Sequence, residues 1–135
     1  DPGNLGTIVR TGEGAGITGI VMSNDSVDLY NPKVIRSTMG SVFRVPVAVV
    51  SDVQDAIKKM KQNGIETYAA HLNGREYQKG AFGKDIAILI GNEAKGLSDE
   101  VSVMADKLIK IPMEGKVESL NAAVATAILM YEARR

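Results

Sequence analysis

The sequence predicts an α/β fold built on a mostly parallel sheet with helices on both faces. Two observations carry this reading. Short β-type apolar runs alternate with helical periods along the whole chain, and the connections between them are short. The 135 residues are one domain's worth of chain, and 44% apolar with 24% charged residues is the balance of an ordinary packed core. No internal repeat, low-complexity tract or second domain interrupts the pattern, so residues 1–135 read as one unit.

The elements follow in order. Leu5, Ile8 and Val9 keep helical spacing, with Asn4 as the expected N-cap. Ile17 to Met22 reads as the first strand. Asn31 and Pro32 open a second helix, because Asn caps well and Pro suits the first helical position, and Gly40 ends that segment. Val47 to Val50 is the second strand. Ser51-Asp-Val-Gln54 has the spacing of a capping box, ahead of a helix that buries Val53, Ile57 and Met60 and stops at Gly64. Ile65 to Ala70 is the third strand, and residues 71–84 read as a polar loop holding Gly74, Gly80 and Gly83. Asp85 to Ile90 is a buried, Ile-rich strand. Ser98 caps a short helix with Val101 and Met104, and Lys107 to Ile111 is the fifth strand. Ser119 to Arg135 is the longest helix, with Ser119 as its cap and Leu120, Val124 and Ile128 on one face beside alanines.

Composition removes several function classes. Sixteen Lys and Arg balance sixteen Asp and Glu, so the basic surplus that usually argues for nucleic-acid binding is missing, although a local patch remains open. Without cysteine there is no disulfide or thiolate chemistry, and with a single histidine no metal site is expected. No apolar run reaches the roughly 18 residues of a membrane span, and no signal peptide is visible, so the expected location is the cytoplasm. The chain opens at Asp1, without Met, inside a loop that looks functional, and is expected to be a piece of a longer protein.

Two motif-like features carry little. Gly14-Ala-Gly16-Ile-Thr-Gly19 spells a dinucleotide fingerprint, but it follows a helix and leads into a strand, the reverse of what that motif needs. A helix C-cap and tight turn explain it better. His71 has no Ser/Asp partner in a triad context and reads as structural or exposed.

Three loops look chemical. The first runs from Asp1 to Arg10, with Asn4 and Arg10 six apart, a spacing that does not put them on one helical face. The second, Ile90-Gly-Asn-Glu-Ala-Lys-Gly-Leu97, leaves the carboxyl end of a buried strand, where open parallel sheets bind their ligands. Gly91 and Gly96 would let its backbone approach a ligand closely, and Glu93 is its acid. The third, Ile111-Pro-Met-Glu-Gly-Lys-Val-Glu-Ser-Leu-Asn121, runs into an Ala-rich helix, with Asn121 expected in the first turn, where polar groups can meet a ligand.

Taken together, these three segments resemble the motifs of the SpoU/TrmH family of RNA ribose 2'-O-methyltransferases, within the SPOUT class. An Asn followed six residues later by Arg matches Asn4 and Arg10. I-G-x-E-x-x-G matches Ile90 to Gly96. I-P-M-x-G-x-x-x-S-L-N matches Ile111 to Asn121. The resemblance spans the chain, with the motifs in family order, and identifies residues 1–135 as a catalytic domain. It implies a parallel-sheet fold with a C-terminal trefoil knot, a rare exception to unknotted topology. It also implies a sixth strand just upstream of Asp1 and an upstream RNA-binding domain, which would let a neutral catalytic domain borrow its affinity for phosphates. Arg10, Lys33, Arg36 and Arg44 could still make a basic face.

The implied reaction is methyl transfer from S-adenosylmethionine to a ribose 2'-hydroxyl of RNA, rRNA more readily than tRNA, by a homodimer. In that dimer the first motif of one chain lies near the cofactor pocket of the other. The implied catalytic set is Asn4, Arg10, Glu93, Ser119 and Asn121. The implied cofactor set is Leu72, Gly74, Gly91, Asn92, Glu93, Gly96, Ile111, Met113, Ser119, Leu120 and Asn121, contacting mostly through backbone. The loop from Ala70 to Gly74 supplies the third wall of that pocket. The family casts the first-motif arginine as a base, but an arginine stays protonated at any working pH, so Arg10 fits better as an orienting and charge-stabilising group. A catalytically weak module binding S-adenosylmethionine or RNA is the alternative, although every signature residue it would be expected to lose is present.

Overall fold

The computed structural model describes residues 2–25, 30–91, 96–116 and 120–134. Among the described residues five strands and five α-helices follow one another, alternating except where β4 succeeds β3 directly: α1 (Pro2–Ala15), β1 (Ile20–Ser23), α2 (Pro32–Thr38), a 3-10 turn (Ser41–Phe43), β2 (Val47–Val50), α3 (Val53–Gln62), β3 (Glu66–Glu76), β4 (Ile86–Leu89), α4 (Asp99–Met104), β5 (Lys107–Lys110) and α5 (Ala122–Ala133). Every strand pair is parallel, as the alternation predicts. The strands form two sheets rather than one: β1 pairs with β2, and β3 lies between β4 and β5.

Local chemistry explains most boundaries. α1 ends in a Schellman motif, with Gly16 N–H donating to Glu13 O and Ile17 N–H to Gly12 O, and Gly16 at φ +79. The glycine run after α1 is therefore a helix stop, and β1 begins only at Ile20, past the expected Ile17. Gly64 ends α3 in the same way, with Ile65 N–H reaching Met60 O. Asn31 caps α2 by accepting from Lys33 N–H at 2.9 Å, and Ser98 caps α4 by accepting from Val101 N–H at 3.2 Å.

Other expectations need correction. Asn4 is not the N-cap of α1, which already runs from Pro2; it sits within the first turn. α3 is capped by Asp52, accepting from Asp55 N–H at 3.1 Å, and not by Ser51. The cap of α5 is Asn121, two residues beyond Ser119. The expected loop 71–84 begins as strand, because β3 continues to Glu76 along β5. Ile109 pairs with both Ala70 and Arg75, and the four residues between them fold into a bulge against β5. On α5 the buried residues are Ala123, Thr126, Leu129 and Met130, whereas Val124 and Ile128 turn outward, 49% and 36% exposed.

Two apolar clusters hold the elements. The first is aliphatic: Val9, Met22, Val34, Val42 and Val45, flanked by Leu5, Ile17, Ile20 and Val47. It joins α1 to α2, the 3-10 turn and the β1–β2 sheet. The second centres on Tyr68, Ile109 and Leu129, with Phe82 and Tyr77 stacked at tilted angles, ring centroids 4.9 and 5.8 Å apart along the chain of three rings. α1 also packs on α5, which brings the two halves of the sequence together.

Candidate active site

β3, β4 and β5 run parallel in one sheet, so the bulge of β3 after Ala70 lies toward the same end of the sheet as the points where the chain leaves β4 at Ile90 and β5 at Ile111. The second and third motif loops begin at those two points. The carboxyl ends of parallel strands are where an open α/β sheet offers space and free peptide groups to a ligand.

Two glycines show how tightly these segments are drawn together. A Cβ on Gly91 would overlap the backbone of Gly96 and Leu97, lying 2.7 Å from the Gly96 carbonyl oxygen. The two ends of the second loop thus touch, and Gly96 at φ +67 takes a left-handed turn to allow it. A Cβ on Gly74 would lie 2.6 Å from both N and C of Ile109. The close approach anticipated for these glycines is here one of backbone to backbone. Leu72, on the bulge, is 73% exposed, and Asn73 N–H donates to His71 Nδ1 at 3.0 Å, which gives the one histidine a local structural role. Ile111, Met113 and Leu120 are half-buried along the third loop. Asn92 and Glu93 in the second loop, and Ser119 in the third, lie outside the described residues.

Asn121 ties the third loop to α1. Its Oδ1 accepts from Ala123 N–H at 2.9 Å and Val124 N–H at 3.2 Å, filling two of the orphan donors at the start of α5. Its Nδ2 donates to Asn4 Oδ1 at 3.2 Å. Two residues singled out from separate motifs thus meet directly. Arg10 does not join them. It lies six residues along α1, about 9 Å up the axis and about 120° around it. It is exposed and forms no ion pair among the described residues.

The best-defined charged group near Arg10 was not anticipated as a site. Glu13, one turn on, accepts from Arg44 Nε at 2.5 Å, from Arg44 Nη2 at 2.8 Å and from Ser41 Oγ at 2.8 Å. These bonds, Arg44's first, hold the Glu13 carboxyl below the usual carboxylate range, and they raise the Arg44 guanidinium in turn. Arg44 is therefore already engaged and adds little to a basic face. Lys33 and Arg36 remain exposed on α2. Among the described residues no group of His, Asp or Glu is placed to hold a metal ion, and no helix is long and apolar enough to cross a membrane.

Comparison with known proteins places this geometry. Residues 1–131 match the model of the SpoU rRNA Methylase family. The chain is 38% identical over 135 residues to the 23S rRNA (guanosine(2553)-2'-O)-methyltransferase RlmP of Bacillus subtilis, covering 99% of this chain and 54% of that protein. It superposes with a TM-score of 0.91 on the AdoMet-bound rRNA methyltransferase of Sinorhizobium meliloti, at 40% identity over 99% of this chain and 52% of the other. It likewise matches the SpoU methyltransferase AviRb of Streptomyces viridochromogenes in complex with AdoMet, with a TM-score of 0.88 and 34% identity, covering 99% and 55%. The chain spans about half the length of the curated relatives it matches. Whole-length sequence match, shared α/β architecture and the joining of its first and third motifs agree: this chain belongs to the SpoU rRNA methylase family.

Proposed function

We propose that this chain is the catalytic domain of an S-adenosylmethionine-dependent RNA ribose 2'-O-methyltransferase, acting on rRNA in the cytoplasm as a homodimer. The observation that carries the proposal is the Asn121–Asn4 hydrogen bond, which couples the α1 segment to the loop that follows β5. The residues of those loops suit the cofactor. Half-buried Ile111, Met113 and Leu120 and exposed Leu72 offer apolar flanks for an adenine, and side-chain-free Gly74, Gly91 and Gly96 leave peptide groups to read its edge. When bound, the cofactor supplies an electrophilic methyl group.

The chain's own work is positioning and charge. Arg10 holds the ribose-phosphate, and its guanidinium offsets the negative charge that develops on the 2'-oxygen. Asn4 and Asn121 fix the start of α1 against the third loop, and Glu93 and Ser119 complete the polar set. The outward α5 face of Val124, Ile128 and Tyr131 is the surface offered to a second copy. The close backbone crossings at Gly74 and Gly91 suit the knotted topology implied by the family.

Calorimetric titration with S-adenosylmethionine and transfer of labelled methyl to rRNA, mapped by resistance of the product to alkaline cleavage, test the proposal. Arg10→Ala is expected to keep S-adenosylmethionine affinity within about three-fold while transfer falls by about 100-fold or more, the scale set by removing one charge-stabilising donor. Loss of cofactor binding in a folded Arg10→Ala protein would overturn the assignment of roles. Transfer to tRNA but not rRNA would overturn the substrate.

A further inference from the structure

Gly6, Arg10 and Glu13 are spaced i, i+4, i+7 and form one stripe of α1. Both ends of the stripe are pinned to the segment running from α2 into the 3-10 turn. At Gly6 an added Cβ would collide with the Ser37 side chain, so α1 and α2 cross there at close range. At Glu13 the carboxylate is held by Ser41 and Arg44. Arg10 lies between these two points, exposed and without an ion pair among the described residues.

The nearest carboxylate to Arg10 on its own helix is Glu13, three residues on, within the reach of a helical ion pair. Yet both Glu13 oxygens are occupied. Oε1 takes Ser41 Oγ and Arg44 Nη2, and Oε2 takes Arg44 Nε. This is the planar two-point fork that a guanidinium makes and an ammonium does not. The Arg44 and Glu13 side chains are 58% and 31% exposed, and a pair so open to water contributes little to fold stability. Its effect falls instead on the local charge beside Arg10.

We propose that Arg44 is a positioning residue for Arg10: by holding the Glu13 carboxylate in its fork, it keeps the Arg10 guanidinium unpaired and available to an RNA phosphate. Without Arg44, Glu13 turns to the guanidinium one turn away and competes with the phosphate for it. This rests on the role given to Arg10 under the proposed function.

Arg44→Met, Glu13→Gln and the double variant test it in the full-length protein. Two readouts are taken: steady-state methyl transfer with RNA varied, and the rate at which phenylglyoxal modifies Arg10, followed by peptide mass. Arg44→Met is expected to raise the KM for RNA by about five-fold, the ceiling a surface ion pair sets, with S-adenosylmethionine affinity unchanged. The same variant slows Arg10 modification. Adding Glu13→Gln returns both quantities to near wild type, because the competing carboxylate is gone. Unchanged KM and unchanged Arg10 reactivity in Arg44→Met would overturn the proposal. So would a defect that persists in the double variant, which would mean that Arg44 acts through structure or touches RNA itself. Wild-type protein that transfers no methyl would defeat the proposed function instead, while Arg10 reactivity still reports whether Arg44 controls its pairing.

Discussion

The two apolar clusters are built on different principles. Around Val9, Met22, Val34, Val42 and Val45 the contacts are between side chains, and the α1 residues proposed to act, Asn4 and Arg10, are not part of that cluster. Around Tyr68, Ile109 and Leu129 the limits are set by main chain: Gly74 lies on Ile109, and Gly91 on Gly96 and Leu97. The first region presents side-chain chemistry from a helix. The second draws backbone against backbone so closely that no side chain fits between. Substitutions should therefore be tolerated differently, because a crowded side chain can rotate and a crowded peptide cannot.

The largest effect is expected at Gly91→Ala. Its methyl group meets backbone on the far side of the loop, and the expected loss is about 3 kcal/mol or more in urea unfolding, with S-adenosylmethionine affinity falling too. Gly6→Ala is the matching test in the first region, where the obstacle is chiefly the Ser37 side chain, and about 1–2 kcal/mol is expected. Equal costs would break the comparison. Asn121→Ala comes next. It removes a cap serving two N–H groups and the bond to Asn4, for about 1.5 kcal/mol of stability and a larger fractional loss of methyl transfer.

The smallest effect is a pH dependence. Asp106 accepts from Thr67 N–H at 2.8 Å and Thr67 Oγ1 at 3.0 Å, with Lys61 at 3.8 Å, and the Thr67 backbone bond leads in holding its carboxyl below the usual range. A lowered carboxyl stabilises the fold fully above the ordinary carboxylate value of about 4, and that contribution drains away as pH falls through the lowered value. Thermal melts from pH 7 to 2 should show the loss in wild type. Asp106→Asn should start about 1 kcal/mol less stable at neutral pH and lose less on acidification.

How much the sequence reveals follows the same division. Caps that depend on two or three neighbouring residues, Asn31 and Ser98, are legible, as are the parallel α/β alternation and the glycine stops at Gly16 and Gly64. Where two acceptors stand close together, tertiary packing decides which begins the helix, and so Asp52 and Asn121 displace Ser51 and Ser119. β3 outruns its expected end because its partner β5 lies over thirty residues away, beyond local pattern. α5 is apolar nearly all round, so no periodicity marks its inner face; that choice falls to α1, whose Gly12 leaves room for Met130. The Asn4 and Asn121 pair was legible only as motif resemblance, and the Glu13–Arg44 fork, 31 residues apart, not at all.

The Asn4–Asn121 hydrogen bond joins residues 117 positions apart. On a ribosome, α1 emerges before β1 to β5, and its partner at Asn121 appears only after all five have been made. No shorter nascent chain can contain a finished site. A premature stop anywhere before α5 would thus yield a product whose Asn4 lacks its Asn121 partner.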